Sequence, residues 1–187
     1  MRLLLMGPPG SGKGTQGERL ARRLGAEHIA AGDLLRAEVE GGTAIGKEVA
    51  AYLARGDLAP DSTIIDIIFP RVESAARAGG FVLDGFPRTV HQALVAQHLA
   101  KEGGFQLDAA VYLDVPRAEL VARIKRRAQE EGRADDTEEI IHNRLDVFDE
   151  ATRPLADLYR ARGLLHVVDA NRPEDEITAD ILARLGR

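Results

Sequence analysis

The chain has 187 residues, 44% of them hydrophobic and 29% charged, which is enough for one sizeable core and short of two full domains. Its 25 Lys+Arg against 30 Asp+Glu give a net charge of -5, excluding the broad basic footprint of a nucleic-acid binder but not a local basic pocket. It has no cysteine, which rules out disulfides and thiolate metal sites and is compatible with a cytoplasmic protein.

The apolar run Arg2–Met6 reads as a strand rather than a leader, because it stops at Gly7. No run approaches the roughly 20 apolar residues of a membrane helix. Further strands are expected at Glu27–Ala30, Gly80–Leu83, Ala110–Asp114 and Leu165–Asp169. Several are continuously apolar, as strands covered on both faces are. Helical stretches fill the intervals: Gly14–Leu24, Asp33–Glu40, Ile45–Ala54, Ser62–Ala78, Val90–Glu102, Pro116–Arg127, one long helix Thr137–Arg162, and Asp175–Leu185. Asp136 with Glu139 three residues on reads as a capping box opening the long helix. This alternation predicts an α/β fold with a parallel five-stranded sheet. The region 30–60 offers helices but no clear strand, so a helical insertion is expected there. The polar stretch ahead of Thr137 reads as a short surface excursion.

The first chemistry appears at Gly7-Pro8-Pro9-Gly10-Ser11-Gly12-Lys13-Gly14-Thr15, between a strand and a helix. Backbone N–H groups in such a loop converge on phosphate oxygens, the helix N-terminus adds its dipole, and Lys13 brings a mobile charge. The general phosphate-loop pattern has Ser or Thr directly after the lysine, where this chain has Gly14. In this spelling the loop closely resembles that of adenylate kinases and related nucleoside-monophosphate kinases. The resemblance continues through Gly32-Asp33-Leu34-Leu35-Arg36, Gly56-Asp57-Leu58-Ala59-Pro60-Asp61, Asp84-Gly85-Phe86-Pro87-Arg88-Thr89 with Gln92, and Arg133-Ala134-Asp135-Asp136. It covers nearly the whole chain. It implies a core of 1–29, 61–127 and 137–187, a monophosphate-binding region 30–60 and a short lid 128–136. Such a lid lacks the longer insert and its metal knuckle, so no zinc is expected. The five histidines show no paired ligand spacing.

Transfer between two nucleotides needs several cations converging on one site. Arg144 stands out, since Ile140 and Phe148 at i±4 put it on an apolar stripe where a charge needs an anionic partner. By resemblance Lys13, Arg88, Arg123, Arg127, Arg133 and Arg144 are catalytic, and Asp84 organises the water shell of a Mg²⁺ that no side chain ligates directly. The same resemblance puts ATP on Gly10, Ser11, Gly12, Lys13, Gly14, Thr15, Arg127 and Arg172. It puts AMP on Ala31, Arg36, Asp57, Leu58, Ala59, Gly85, Arg88, Gln92, Arg133 and Arg144.

The expected reaction is reversible transfer from Mg-ATP to AMP, giving two ADP. Gln92 matches an adenine-reading glutamine, yet cytosine offers a similar donor–acceptor pair, and Ala31 is the spelling of UMP/CMP kinases. A pyrimidine acceptor is therefore the alternative. A non-catalytic nucleotide-binding module is the more distant one; no Asn-Lys-x-Asp element of switch GTPases occurs, and the second cation set would have no use. Expected partners are ATP, AMP and ADP, with no nucleic acid and no membrane, in a cytoplasmic monomer.

Overall fold

The computed structural model describes residues 1–131 and 137–187, the side chains of 130 and 131 excepted. Five parallel strands, β1 (Arg2–Met6), β2 (Glu27–Ala30), β3 (Phe81–Asp84), β4 (Ala109–Asp114) and β5 (Leu165–Asp169), form one sheet in the order β2-β3-β1-β4-β5. The central strand β1 pairs Leu4 with Leu83 on one side and with Ala110 on the other. Leu3, Leu4 and Leu5 are each at most 1% exposed, because side chains alternate into two cores, one per sheet face.

One face packs α2 (Ala31–Glu40), α3 (Ala44–Arg55), α4 (Asp61–Ala78), α5 (Val90–Glu102) and α8 (Leu155–Ala161) around Leu4, Ile29, Leu83 and Tyr112. The other packs α1 (Lys13–Leu24), α6 (Arg117–Glu131), α7 (Glu138–Val147) and α9 (Glu174–Arg184) around Leu3, Leu5, Val111 and Leu113. Each fully buried leucine of β1 contributes about 1.5–3 kcal/mol. This is the parallel five-stranded sheet flanked by helices that the sequence predicts. The strand expected to open at Gly80 opens at Phe81. Gly80 sits at φ +126°, with Met1 backbone where a Cβ would stand; its N–H closes α4 on the Ala75 carbonyl while its own carbonyl accepts from Glu27 N–H at 3.1 Å, so it leads the chain into β3.

Two expectations around α7 are corrected. Thr137, not Asp136, caps the helix, its Oγ1 accepting from Ile140 N–H at 3.5 Å; Asp136 lies outside the described residues. The expected single helix 137–162 is broken by a π-helical turn, Phe148–Thr152, before α8. Pro154 has no N–H to continue an α-helical ladder, and Arg153 N–H instead reaches back five residues to Phe148 carbonyl at 2.9 Å. That widened turn buries Phe148 against Tyr112 and brings Thr152 under the segment after β3.

Candidate active site

The loop from Gly7 to Gly12 lies at the carboxyl end of β1, where open α/β sheets bind ligands. Gly10 has φ +81°, and a Cβ there would meet Ile124 and the Leu120 carbonyl of α6, so only glycine fits. Helices α3, α5 and α7 are capped by threonine side chains, whereas α1 starts at Gly12 with none. Its first N–H groups, at the mouth of the glycine loop, are open to an anion. Ser11 Oγ is buried there without a hydrogen-bond partner, a second polar group that the protein alone does not satisfy.

Lys13 curls back over the loop, its Nζ donating to the Gly7 carbonyl at 2.9 Å and the Pro8 carbonyl at 3.1 Å. Burial, reinforced by Arg88, Arg144 and Arg127, lowers its pKa from 10.5 to about 8 against the opposing pull of Asp84. Arg88 follows β3; its Nε donates to Gly85 carbonyl at 2.8 Å, and its backbone carbonyl accepts from Thr152 Oγ1 at 2.9 Å. Its basicity too is lowered, by burial first and by Arg36 next, while Asp84 offsets part of this. Two cations made less basic by burial and by neighbouring arginines define a site short of negative charge.

A cleft of about 460 Å³ collects these groups. It is lined by Lys13, Arg36, Arg88, Arg123, Arg127 and Arg144 against Glu18, Asp33 and Asp84, an excess of cations in a chain of net charge -5. Gly10, Gly12, Gly14, Thr15 and Gly85 line it as well. Arg36 is ion-paired with Asp33 one turn before it. Arg123 is held by Glu119 at 2.8 Å and by the Ala170 carbonyl at 3.2 Å, which aims its guanidinium from α6 toward the rim. The adjoining recess brings Leu58, Arg88 and Arg144 together with Lys13.

Other expected site residues sit elsewhere. Ala31 is 1% exposed and packs near Gly85, outside the lining of the cleft. Ala59 belongs to the core. Asp57 accepts from Arg55 Nε at 2.8 Å and Asn143 Nδ2 at 2.9 Å, tying the segment after α3 to α7, and these bonds hold its carboxyl below the usual range. Arg172 donates to Asp180 at 2.7 Å and does not line the cleft. Arg133 and Asp135, with residues 132–136 of the expected lid, lie outside the described residues.

Gln92 is fully buried, and its amide is already engaged. Oε1 accepts from Arg88 N–H at 2.7 Å, and Nε2 donates to Asp61 Oδ1 at 2.7 Å. Asp61 also receives Thr89 Oγ1 at 3.2 Å and lies 2.8 Å from His91 Nδ1. Sequence reasoning gave no role to Asp61, Thr152 or Gly56. Asp61 sat in a quoted motif, but its partners are 28 to 31 positions away. Thr152 carried no signal beyond its nearness to Pro154.

The sequence model of the family described as adenylate kinase matches residues 5–164. An adenylate kinase of Leptospira biflexa serovar Patoc is 48% identical over 181 residues, covering 97% of both chains. One from Stenotrophomonas maltophilia is 48% identical over 185 residues, covering 99% of both. One from Thermus thermophilus is 47% identical over 184 residues, 98% of this chain and 96% of the relative.

Proposed function

The chain belongs to the adenylate kinase family, and we infer from this that its cleft carries the reversible transfer of the terminal phosphoryl group of ATP to AMP, giving two ADP. The observation that carries this reading is the convergence of the loop lysine with five arginines from four other segments in one cleft. A nucleotide-binding switch needs the lysine; it has no need of Arg36 and Arg88 facing it.

The roles proposed follow from charge. Lys13 and the N–H groups opening α1 neutralise the β- and γ-phosphates of ATP, which enters with Mg²⁺ as its complex. Asp84 orients the water shell of that ion. Arg36 and Arg88 hold the acceptor phosphate, and Arg123, Arg127, Arg133 and Arg144 stabilise charge on the group in flight. Residues 30–60 and 128–136 close over the substrates, excluding water until both are bound. Gln92 reads adenine with the hydrogen-bonding capacity that Arg88 and Asp61 leave over. The protein acts as a monomer in the cytoplasm without zinc.

The deciding experiment is one acceptor panel: purified protein, Mg-ATP, and AMP, CMP, UMP or GMP. AMP is expected to have the highest kcat/KM. A tenfold preference for CMP or UMP would overturn the acceptor and leave the transfer chemistry standing. Native mass and metal content of the same sample test the monomer and the absence of zinc.

A further inference from the structure

A second cavity, of about 300 Å³, lies between α4, α5, α8 and the sheet. Phe69, Phe86, Ala96, Phe105 and Tyr159 give it apolar walls, and none of the cations of the phosphate cleft lines it. An engineered apolar cavity of about 150 Å³ holds benzene, so about twice that volume accepts a two-ring aryl group or a medium alkyl chain. Its one charged lining residue is Arg162, half-buried, with its guanidinium 5.9 Å from the Tyr159 ring centroid. Among the described residues Arg162 has no carboxylate partner. The exposed amides of Gln97 and Gln106 complete the polar edge. An apolar body with one cation and two amide donors at its rim is complementary to an amphipathic anion.

The cavity also touches the catalytic machinery. Pro87 lines it on one side and, on the other, lines the recess that holds Lys13, Arg88 and Arg144. A ligand pressing on Phe86 and Pro87 therefore acts on the backbone one residue before Arg88.

We propose that this cavity binds a small amphipathic monocarboxylate, aryl or medium-chain alkyl, with its carboxylate on Arg162, and that occupancy is transmitted through Pro87 to Arg88. The binding half stands independently of the enzymatic reading; the transmitted half rests on it.

The probe is 2-naphthoate, titrated calorimetrically into the full chain, with the neutral 2-naphthalenemethanol as comparison. Saturable one-to-one binding is expected, not competed away by saturating ADP although its affinity shifts by the few-fold that reciprocal coupling requires, and at least tenfold weaker for the alcohol and for Arg162→Gln. Ala96→Leu, which narrows the cavity, should weaken it further, with thermal melts establishing that each variant is folded. Should Ala96→Leu not fold, Arg162→Gln at the rim decides alone. Saturating naphthoate should shift the KM for AMP at least twofold. Absence of saturable binding, displacement by ADP, or unchanged affinity in Arg162→Gln would overturn the site. Binding with an unchanged KM for AMP in active enzyme would overturn the transmission.

Discussion

The aliphatic stem of Arg144 lies against the backbone of Gly56: a Cβ built on Gly56 would stand 2.5 Å from Arg144 Cγ. Gly56 ends α3 at φ +76°, and Arg144 lines the cleft from α7, so the turn after α3 sets the height of the Arg144 side chain. Gly56→Ala should cost roughly 1–2 kcal/mol of stability from the left-handed backbone alone. It should also push Arg144 out of line and lower turnover at least tenfold. Gly42→Ala is the control, since Gly42 has φ +62° and nothing within 4 Å of an added Cβ. Melting and turnover of the two variants separate the effects: similar stability losses, with turnover lost only at Gly56.

Lys13 should set the alkaline limit of the enzyme. With its folded pKa lowered to about 8, the free protein loses the loop charge as pH rises through that value, and kcat/KM for ATP should fall with it. Bound phosphates favour the charged lysine, so the fall in kcat at saturation should come at higher pH. Lys13→Arg should move the alkaline limb of kcat/KM out of range, and Lys13→Ala should cost about 10²–10³ in rate. The stability term has the opposite sign to that of a lysine whose pKa is raised by a salt bridge. Between about 8 and 10.5 the unfolded chain binds more protons than the folded one, so this group makes the free protein more stable as pH climbs through that window. Rate profiles and urea unfolding across pH 7–10.5 (about this range suffices for both limbs) test both signs.

Thr152 is the support beneath Arg88. Its Oγ1 donates to the Arg88 carbonyl at 2.9 Å from the π-helical turn. Thr152→Val keeps the shape and removes the donor, at a cost of about 0.5–1.5 kcal/mol. Because Arg88 is held at its carbonyl, its N–H and its Nε, loosening one point should raise the KM for AMP severalfold while kcat changes little. Thr152→Ser should behave as the parent. A lowered melting temperature with an unchanged KM for AMP would reduce Thr152 to a packing role.

What the sequence exposes here is what lies contiguous in it. The loop Gly7–Thr15 and the run from Asp84 to Arg88 carry their chemistry in consecutive residues, and both line the cleft at the ends of adjacent strands. Arg144 was legible through an i±4 stripe, although its last member, Phe148, turns out to belong to the π-helical turn. That turn was not legible, because the helical periodicity runs on past Thr152 and only Pro154 interrupts it. Arg172 is assigned to ATP by resemblance alone, and no spacing in the chain announces that its guanidinium goes to Asp180, eight residues on. Asp61 and Gln92, 31 positions apart, meet only after β3 brings the starts of α4 and α5 together.

That meeting carries the prediction on base choice. Asp61, a carboxylate, only accepts, so Gln92 must turn its NH₂ toward it and its Oε1 toward the Arg88 N–H. The orientation is thereby fixed, leaving one N–H and one lone pair for a base that offers an acceptor beside a donor. Gln92→Ala removes both and leaves two half-buried groups short of a partner, each such loss costing about 0.5–1.5 kcal/mol. The preference for AMP over CMP in kcat/KM should therefore fall at least tenfold, while kcat at saturating acceptor falls less. Asp61→Asn keeps the shape but frees the Gln92 amide to flip, since asparagine offers either an acceptor or a donor. It should erode discrimination between the two acceptors more than it lowers the melting temperature. If Asp61→Asn destabilised the fold and left the AMP-to-CMP ratio unchanged, Asp61 would be a scaffold residue, and the direction of the Gln92 amide would be set by Arg88 alone.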